Sequence, residues 1–312
     1  MSYLSRISIK SKLLIMLLGV SLTSVLIIGF LSLRTAERAL EESIRSQLTS
    51  IRSIKSDQII TYFDGISNFT ASLGNNIGVV NDVADFTFAY QEGAEQSLTE
   101  EEHQVLTEYY LDEYLPLLAE NMAETPLPVL YRPRTPAASY FQYHYIANNP
   151  YPFDQKSEMI TAEGDVTTYK RIHEANHAGY RALRDKFGFD DLYLIDIDSG
   201  VIVYSISKAP DFGTSLYTGP YRNSGLGQLA AQIRNNPEQG VLQAVDYRPY
   251  PPALNAPTGF FAMPLYRDNE AIGILAVQVP LGPIDDVMTS GGNWEEVGLG
   301  STGEAYLCLL YT

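Results

Sequence analysis

One run of residues limits what this chain can become: Leu13–Leu33, 21 positions without a charged side chain. At about 1.5 Å per helical residue it reaches roughly 30 Å, the thickness of a bilayer's hydrocarbon core. No comparable apolar stretch follows in the 312 residues. A cleaved secretory leader has an apolar region of only about 7–15 residues, closed by a small-x-small site. Here the run leaves through Arg34-Thr35-Ala36-Glu37 and reads as an uncleaved anchor. The sequence therefore predicts a cytoplasmic N-terminus over 1–12, a transmembrane helix over 13–33, and a large domain outside the cytoplasm.

Charge narrows the partners. The net charge is −16, and residues 1–33 carry Arg6, Lys10 and Lys12 without an acid, so the remainder is more acidic still. Such a domain is repelled by anionic lipid and by nucleic acid phosphates, which argues against nucleic acid binding. A single cysteine, Cys308, leaves no internal disulfide framework, so the fold must rest on its core.

From Arg34 to about residue 76 one helix is expected. Leu40, Ile44, Leu48, Ile51, Ile54, Tyr62, Ile66, Phe69 and Leu73 form an apolar stripe with no proline among them. That face suits packing, either on its own domain or on a second copy of the chain. Helical patches follow at 79–91 and 99–123, the second opened by a capping box at Ser97 or Thr99. Six prolines forbid a long helix over 125–154, and helical periodicity resumes over 167–187. Two β-rich runs, 192–196 and 201–206, flank the turn Ile197-Asp-Ser-Gly200. A short helix near 225–235 precedes three more strands, near 241–247, 259–265 and 271–279, the last two joined at Asp268-Asn269. The predicted class is α+β: a transmembrane helix, a long ectodomain helix, and a PAS-like antiparallel five-stranded sheet with covering helices.

These elements carry a family likeness. Tyr143-His-Tyr-Ile-Ala-Asn-Asn-Pro150, Phe187-Gly-Phe-Asp-Asp-Leu-Tyr-Leu-Ile-Asp196, Lys208-Ala-Pro-Asp-Phe-Gly-Thr-Ser-Leu216, Gly219-Pro-Tyr221 and Gly298-Leu-Gly-Ser-Thr-Gly-Glu-Ala-Tyr-Leu307 stand in order. With the anchor, the set resembles the double Cache sensor region of bacterial transmembrane receptors, notably those preceding adenylate/guanylate cyclase modules. The resemblance implies a membrane-distal Cache module over 77–291 after the helix of 34–76, and an incomplete membrane-proximal module over 292–312. It also implies a homodimer in the bacterial inner membrane. The second span and output enzyme expected of that family have no counterpart here, as in a truncated reading frame, and the chain itself is expected not to be an enzyme.

Other motifs point to chemistry of their own. His173-Glu174-Ala175-Asn176-His177 fits H-E-x-x-H and supports an alternative, a tethered zinc metallopeptidase. A third ligand is the difficulty: Tyr180 and Leu183 stand where the metzincin extension needs glycine and histidine, no Glu occurs between Glu174 and Glu238, and Asp191, Asp196 or Asp198, which could substitute, fall in or beside the predicted hairpin. Asp196-x-Asp198-x-Gly200 is a hairpin turn before it is a calcium loop. No nucleophile–base set, metal site or cofactor motif emerges. A second alternative is a tethered adhesion or scaffold module without a pocket.

A small-molecule site fits the 22 tyrosines better than a reaction does. Tyrosine offers an apolar body with a polar tip, suited to a small polar ligand. The expected site is the concave sheet face, covered by 143–150 and 169–177. Its residues would be Tyr143, Tyr169, His173, Tyr193, Tyr204, Asp246 and Phe261, with Asp246 anchoring an amine or amino acid. The tyrosine–arginine–tryptophan pattern of amino-acid-binding relatives is absent; the one tryptophan is Trp294.

Overall fold

The computed structural model describes residues 8–293, 298–299 and 305. The helix α1 runs unbroken over Ile9–Gly74. It is the one described helix long and apolar enough to cross a membrane, and its residues 13–33 are exposed throughout, which is compatible with a single-pass anchor. The chain divides into two compact units, residues 60–284 and residues 1–59 with 285–312. Expectations for the tail, including Trp294, Cys308 and most of the second-module segment, lie outside the described residues.

In the unit built on residues 1–59, Leu40, Ile44, Leu48 and Ile54 remain exposed. Lys55 is buried, and its Nζ donates to the carbonyls of Val287 (2.5 Å) and Met288 (3.1 Å) and to Ser290 Oγ (2.7 Å). In the unit 60–284 the same stripe is covered: Ile66, Phe69 and Leu73 join the core, and Phe69 stacks on Phe187 at 3.9 Å. The stripe thus has two fates. Tyr62, Ile66, Phe69 and Leu73, its members in the unit 60–284, all pack on that unit's core.

Further helices are α2 (Ile77–Glu92), α3 (Glu100–Glu108), α4 (Leu115–Ala119), α5 (Pro128–Tyr131), α6 (Pro136–Gln142), α7 (Thr168–Phe187), α8 (Gly225–Asn235) and α9 (Gly282–Thr289). Of the two possible capping boxes Thr99 forms one, its Oγ1 accepting from Glu102 N while Glu102 Oε2 accepts from Thr99 N. Pro128 and Pro136 sit in the first turns of α5 and α6, where a missing N–H is harmless, so 125–154 is broken into short pieces. α7 stops at Gly188 in the left-handed region (φ 70°), a conformation glycine adopts without a Cβ penalty.

The strands β1 (Asp191–Asp196), β2 (Ile202–Ser205), β3 (Gln243–Tyr250), β4 (Ala256–Arg267) and β5 (Glu270–Val279) form one antiparallel sheet in the order β2-β1-β5-β4-β3. Asp268 (φ 51°) and Asn269 (φ 66°) make the β4–β5 turn, residue types that tolerate positive φ. Register assigns the faces. Leu194 pairs with Tyr204 and Leu275, whereas Tyr193 pairs with Ser205 and Ala276. One face (Leu192, Leu194, Tyr204, Leu275, Val277) packs on α2, where Phe86 meets Tyr204 at 4.8 Å between ring centres. The opposite face (Asp191, Tyr193, Ala276, Gln278, Phe260) lies under Tyr250 and the start of α8.

Both sheet edges are guarded, each in its own way. Beside β2 the chain folds back, with Ile202 N donating to Thr214 O and Gly213 N to Ile202 O. The β3 edge is bulged between Val245 and Arg248, exposes Asp246, and carries Pro249.

Candidate functional site

Where β1 begins and β5 ends, a cavity of about 180 Å³ opens on the Tyr193 face. Asp191, Tyr193 and Gln278 contribute from the strands. Phe153, Asp154 and Ser157 come from the 3₁₀ turn Phe153–Glu158, and Arg184 from the last turn of α7. Ser207 and Ala209 close one side, Pro252 and Ala253 another. Tyr193 donates its hydroxyl to Gln278 Oε1 at 2.6 Å, and Arg184 donates to Ser157 Oγ at 3.0 Å.

Asp191 is the unusual member. It is 1% exposed, and its Oδ1 accepts three backbone N–H bonds, from Leu192 (2.7 Å), Ile206 (2.7 Å) and Ser207 (3.1 Å). Its Oδ2 has no partner. A buried acceptor left unpaired costs about 1–3 kcal/mol, so a donor is wanted there. Burial pushes its carboxyl above the usual carboxylate range, and the three N–H bonds and the charge of Lys208 oppose that. Lys208 is itself buried, its Nζ donating to Ser205 O and lying 4.1 Å from the centre of the Tyr204 ring and 4.8 Å from that of Phe212. Burial lowers its pKa, and Asp191 pulls it back up.

Beneath the other face lies the histidine pair of α7. His177 donates from Nε2 to Ser157 O at 2.8 Å, because a carbonyl can only accept. Its Nδ1 then accepts from the Tyr204 hydroxyl at 2.7 Å. His173 donates from Nδ1 to Ile160 O at 2.9 Å, leaving Nε2 without a partner. The rings stack with centres 4.2 Å apart. Burial pushes the pKa of His177 down to about 3, with the nearby cation Lys208 adding to it, so the ring is neutral at physiological pH. Of the four ring nitrogens two hold the 157–160 segment and a third accepts from Tyr204. Among the described residues no group of three His, Cys, Asp or Glu side chains converges on a metal position.

The structure separates the seven residues expected to form one site. Tyr193 lines the cavity. Tyr169, His173 and Tyr204 cluster on the opposite side, Tyr169 donating to Val203 O at 2.8 Å. Tyr193 and Tyr204 cannot share a floor, since paired antiparallel neighbours face alike and Tyr204 opposes Leu194. Tyr143 is partly buried against His144, their ring centres 4.9 Å apart. Phe261 meets Phe63 edge-on at 6.2 Å, on the helix-covered face. Asp246 is exposed and caps its neighbour's N–H, Tyr247 N to Oδ1 at 2.7 Å. The cover also differs, coming from 153–158, Arg184, 207–209 and 252–253 rather than from 143–150 and 169–177.

Asp191, Gln278, Arg184 and Ser157 were not anticipated. One signal was available for Asp191: a carboxylate opening the otherwise apolar run Leu192–Ile195 has to be reconciled with burial. No family model matches the chain, and no similar curated protein or solved structure was found.

Proposed function

We propose that this chain is the extracytoplasmic sensor region of a single-pass membrane receptor, of the double Cache type that its motifs resemble, and that it binds a small polar ligand carrying an amino group. Residues 13–33 hold it in lipid with the N-terminus in the cytoplasm of a bacterial cell. The exposed stripe Leu40, Ile44 and Leu48 serves a homodimer. The reading is supported by the apolar segment of α1, by the antiparallel order β2-β1-β5-β4-β3, and by a cavity on one sheet face. The observation that carries it is Asp191, a fully buried carboxylate that lines the cavity with one oxygen unpaired. A cationic donor from a ligand satisfies the empty acceptor, while Arg184, which pairs with Asp185 at 2.9 Å and bonds Ser157, keeps further N–H donors for a ligand carboxylate.

The test is a thermal-shift screen of the full-length chain in detergent against amines, amino acids and organic acids. An amine or amino acid should raise Tm saturably. That shift should disappear in Asp191→Asn and persist in Asp246→Asn. If no amine or amino acid shifts the protein, or if the shift survives Asp191→Asn, the reading is wrong.

A further inference from the structure

A second concavity, of about 460 Å³, lies between α5, the segment Pro220–Ser224 and the end of β3. Its charged wall residues are two arginines, Arg134 and Arg222, and no acid lines it. In a chain with 37 acids and 21 lysines and arginines, such a place is against the average. Both arginines are exposed, and each has one backbone acceptor: Val129 O at 3.2 Å for Arg134 and Gly219 O at 3.3 Å for Arg222. Neither has an ion-pair partner among the described residues. A guanidinium has five N–H donors, so most remain available in each.

The rest of the wall is of another character. Leu130, Pro220, Pro249 and Pro251 present apolar surface, and prolines offer no N–H of their own. Tyr131 and Tyr221 add ring surface, with centres 6.4 Å apart. Two like charges on one concavity with apolar walls bias its field toward anions. Guanidinium also matches carboxylate and phosphate oxygens in pairs of parallel bonds.

We propose that this cleft is a binding site for a small organic anion, with a carboxylate or phosphate head engaged by Arg134 and Arg222 and an apolar body against Leu130 and the three prolines. The site is separate from the Asp191 cavity and stands whether or not that cavity binds an amine. Its ligand is of opposite charge, so the two sites can be told apart by probe alone.

The experiment titrates the full-length protein in zwitterionic detergent, at constant ionic strength, with phenyl phosphate, benzoate and inorganic phosphate, following heat or Tm. Phenyl phosphate or benzoate should bind saturably and more tightly than inorganic phosphate, and whichever binds tighter identifies the head group. Arg134→Gln and Arg222→Gln should each weaken binding at least about fivefold. The double variant should abolish it with the ligand-free Tm unchanged, whereas Arg45→Gln should do nothing. Benzyl alcohol or benzylamine binding equally well would show a merely apolar cleft and overturn the proposal. Retained anion binding in the double variant, or no saturable binding by either organic anion, would overturn it too.

Discussion

Asp211 gives the sharpest test of the energetics. Its side chain is fully buried, Oδ2 accepts from the Tyr250 hydroxyl at 2.5 Å, and Oδ1 has no partner. Burial raises its pKa from the ordinary 3.8 to about 7; the Tyr250 bond opposes the rise and the charge of Asp191 adds to it. The folded state therefore keeps a proton that the unfolded chain has already lost. The stabilisation tied to that proton is complete below about pH 4 and is lost as pH climbs to about 7. A shift of about three units at about 1.4 kcal/mol each makes the loss roughly 4 kcal/mol. Asp211→Asn removes the titration and puts an amide NH2 at the unpartnered position, one unpaired donor more than the protonated acid has, a pH-independent cost of about 1–3 kcal/mol. The variant should be the less stable protein near pH 4, match the wild type at about pH 5–6, and be the more stable one at pH 8. Denaturant unfolding of both proteins in detergent, followed by circular dichroism between pH 4 and 8, measures the difference directly. Parallel stability curves would refute the argument, for they would mean that Asp211 is ionised in both states.

Two further changes test the packing. Tyr204→Phe keeps the ring against Phe86 but deprives His177 Nδ1 of its donor, and should cost about 1–2 kcal/mol in denaturant unfolding; an unchanged midpoint would show the bond to be immaterial. At Gly273 an added Cβ would lie 2.6 Å from Val83 Cγ2 and 3.1 Å from Ile195 O. Gly273→Ala should therefore cost about 1–3 kcal/mol, and adding Val83→Ala should recover part of it; no recovery would place the strain elsewhere.

The elements were legible because their signals are local. Proline spacing, the Thr99 capping box, Gly188 after α7, the apolar run of β5 and the Asp268-Asn269 turn each act within a few residues. The site was not, because it depends on register. Reading Tyr193 and Tyr204 as β residues is correct, but their faces follow from the pairing Leu194–Tyr204, which no residue near either position announces. Tyrosine abundance misled for a related reason. Most of the buried hydroxyls serve the interior, as when Tyr140 and Tyr145 both donate to Asp165, Tyr110 donates to Gln142, and Tyr180 to Asp82. The H-E-x-x-H pattern met the same limit: spacing puts two imidazoles on one helix face, while the carbonyls they bind come from a segment over ten residues earlier.

The two guarded sheet edges have a consequence wherever copies of a chain are crowded together. A bare edge invites strand addition from a neighbour and, from there, polymerisation. On the β2 side those hydrogen bonds are already made by Gly213 and Thr214. On the β3 side an incoming strand would meet a bulge, a proline without a donor, and the charge of Asp246. Asp246 thus has work to do without any ligand: its exposed side chain sits on the edge where an added strand would have to pair.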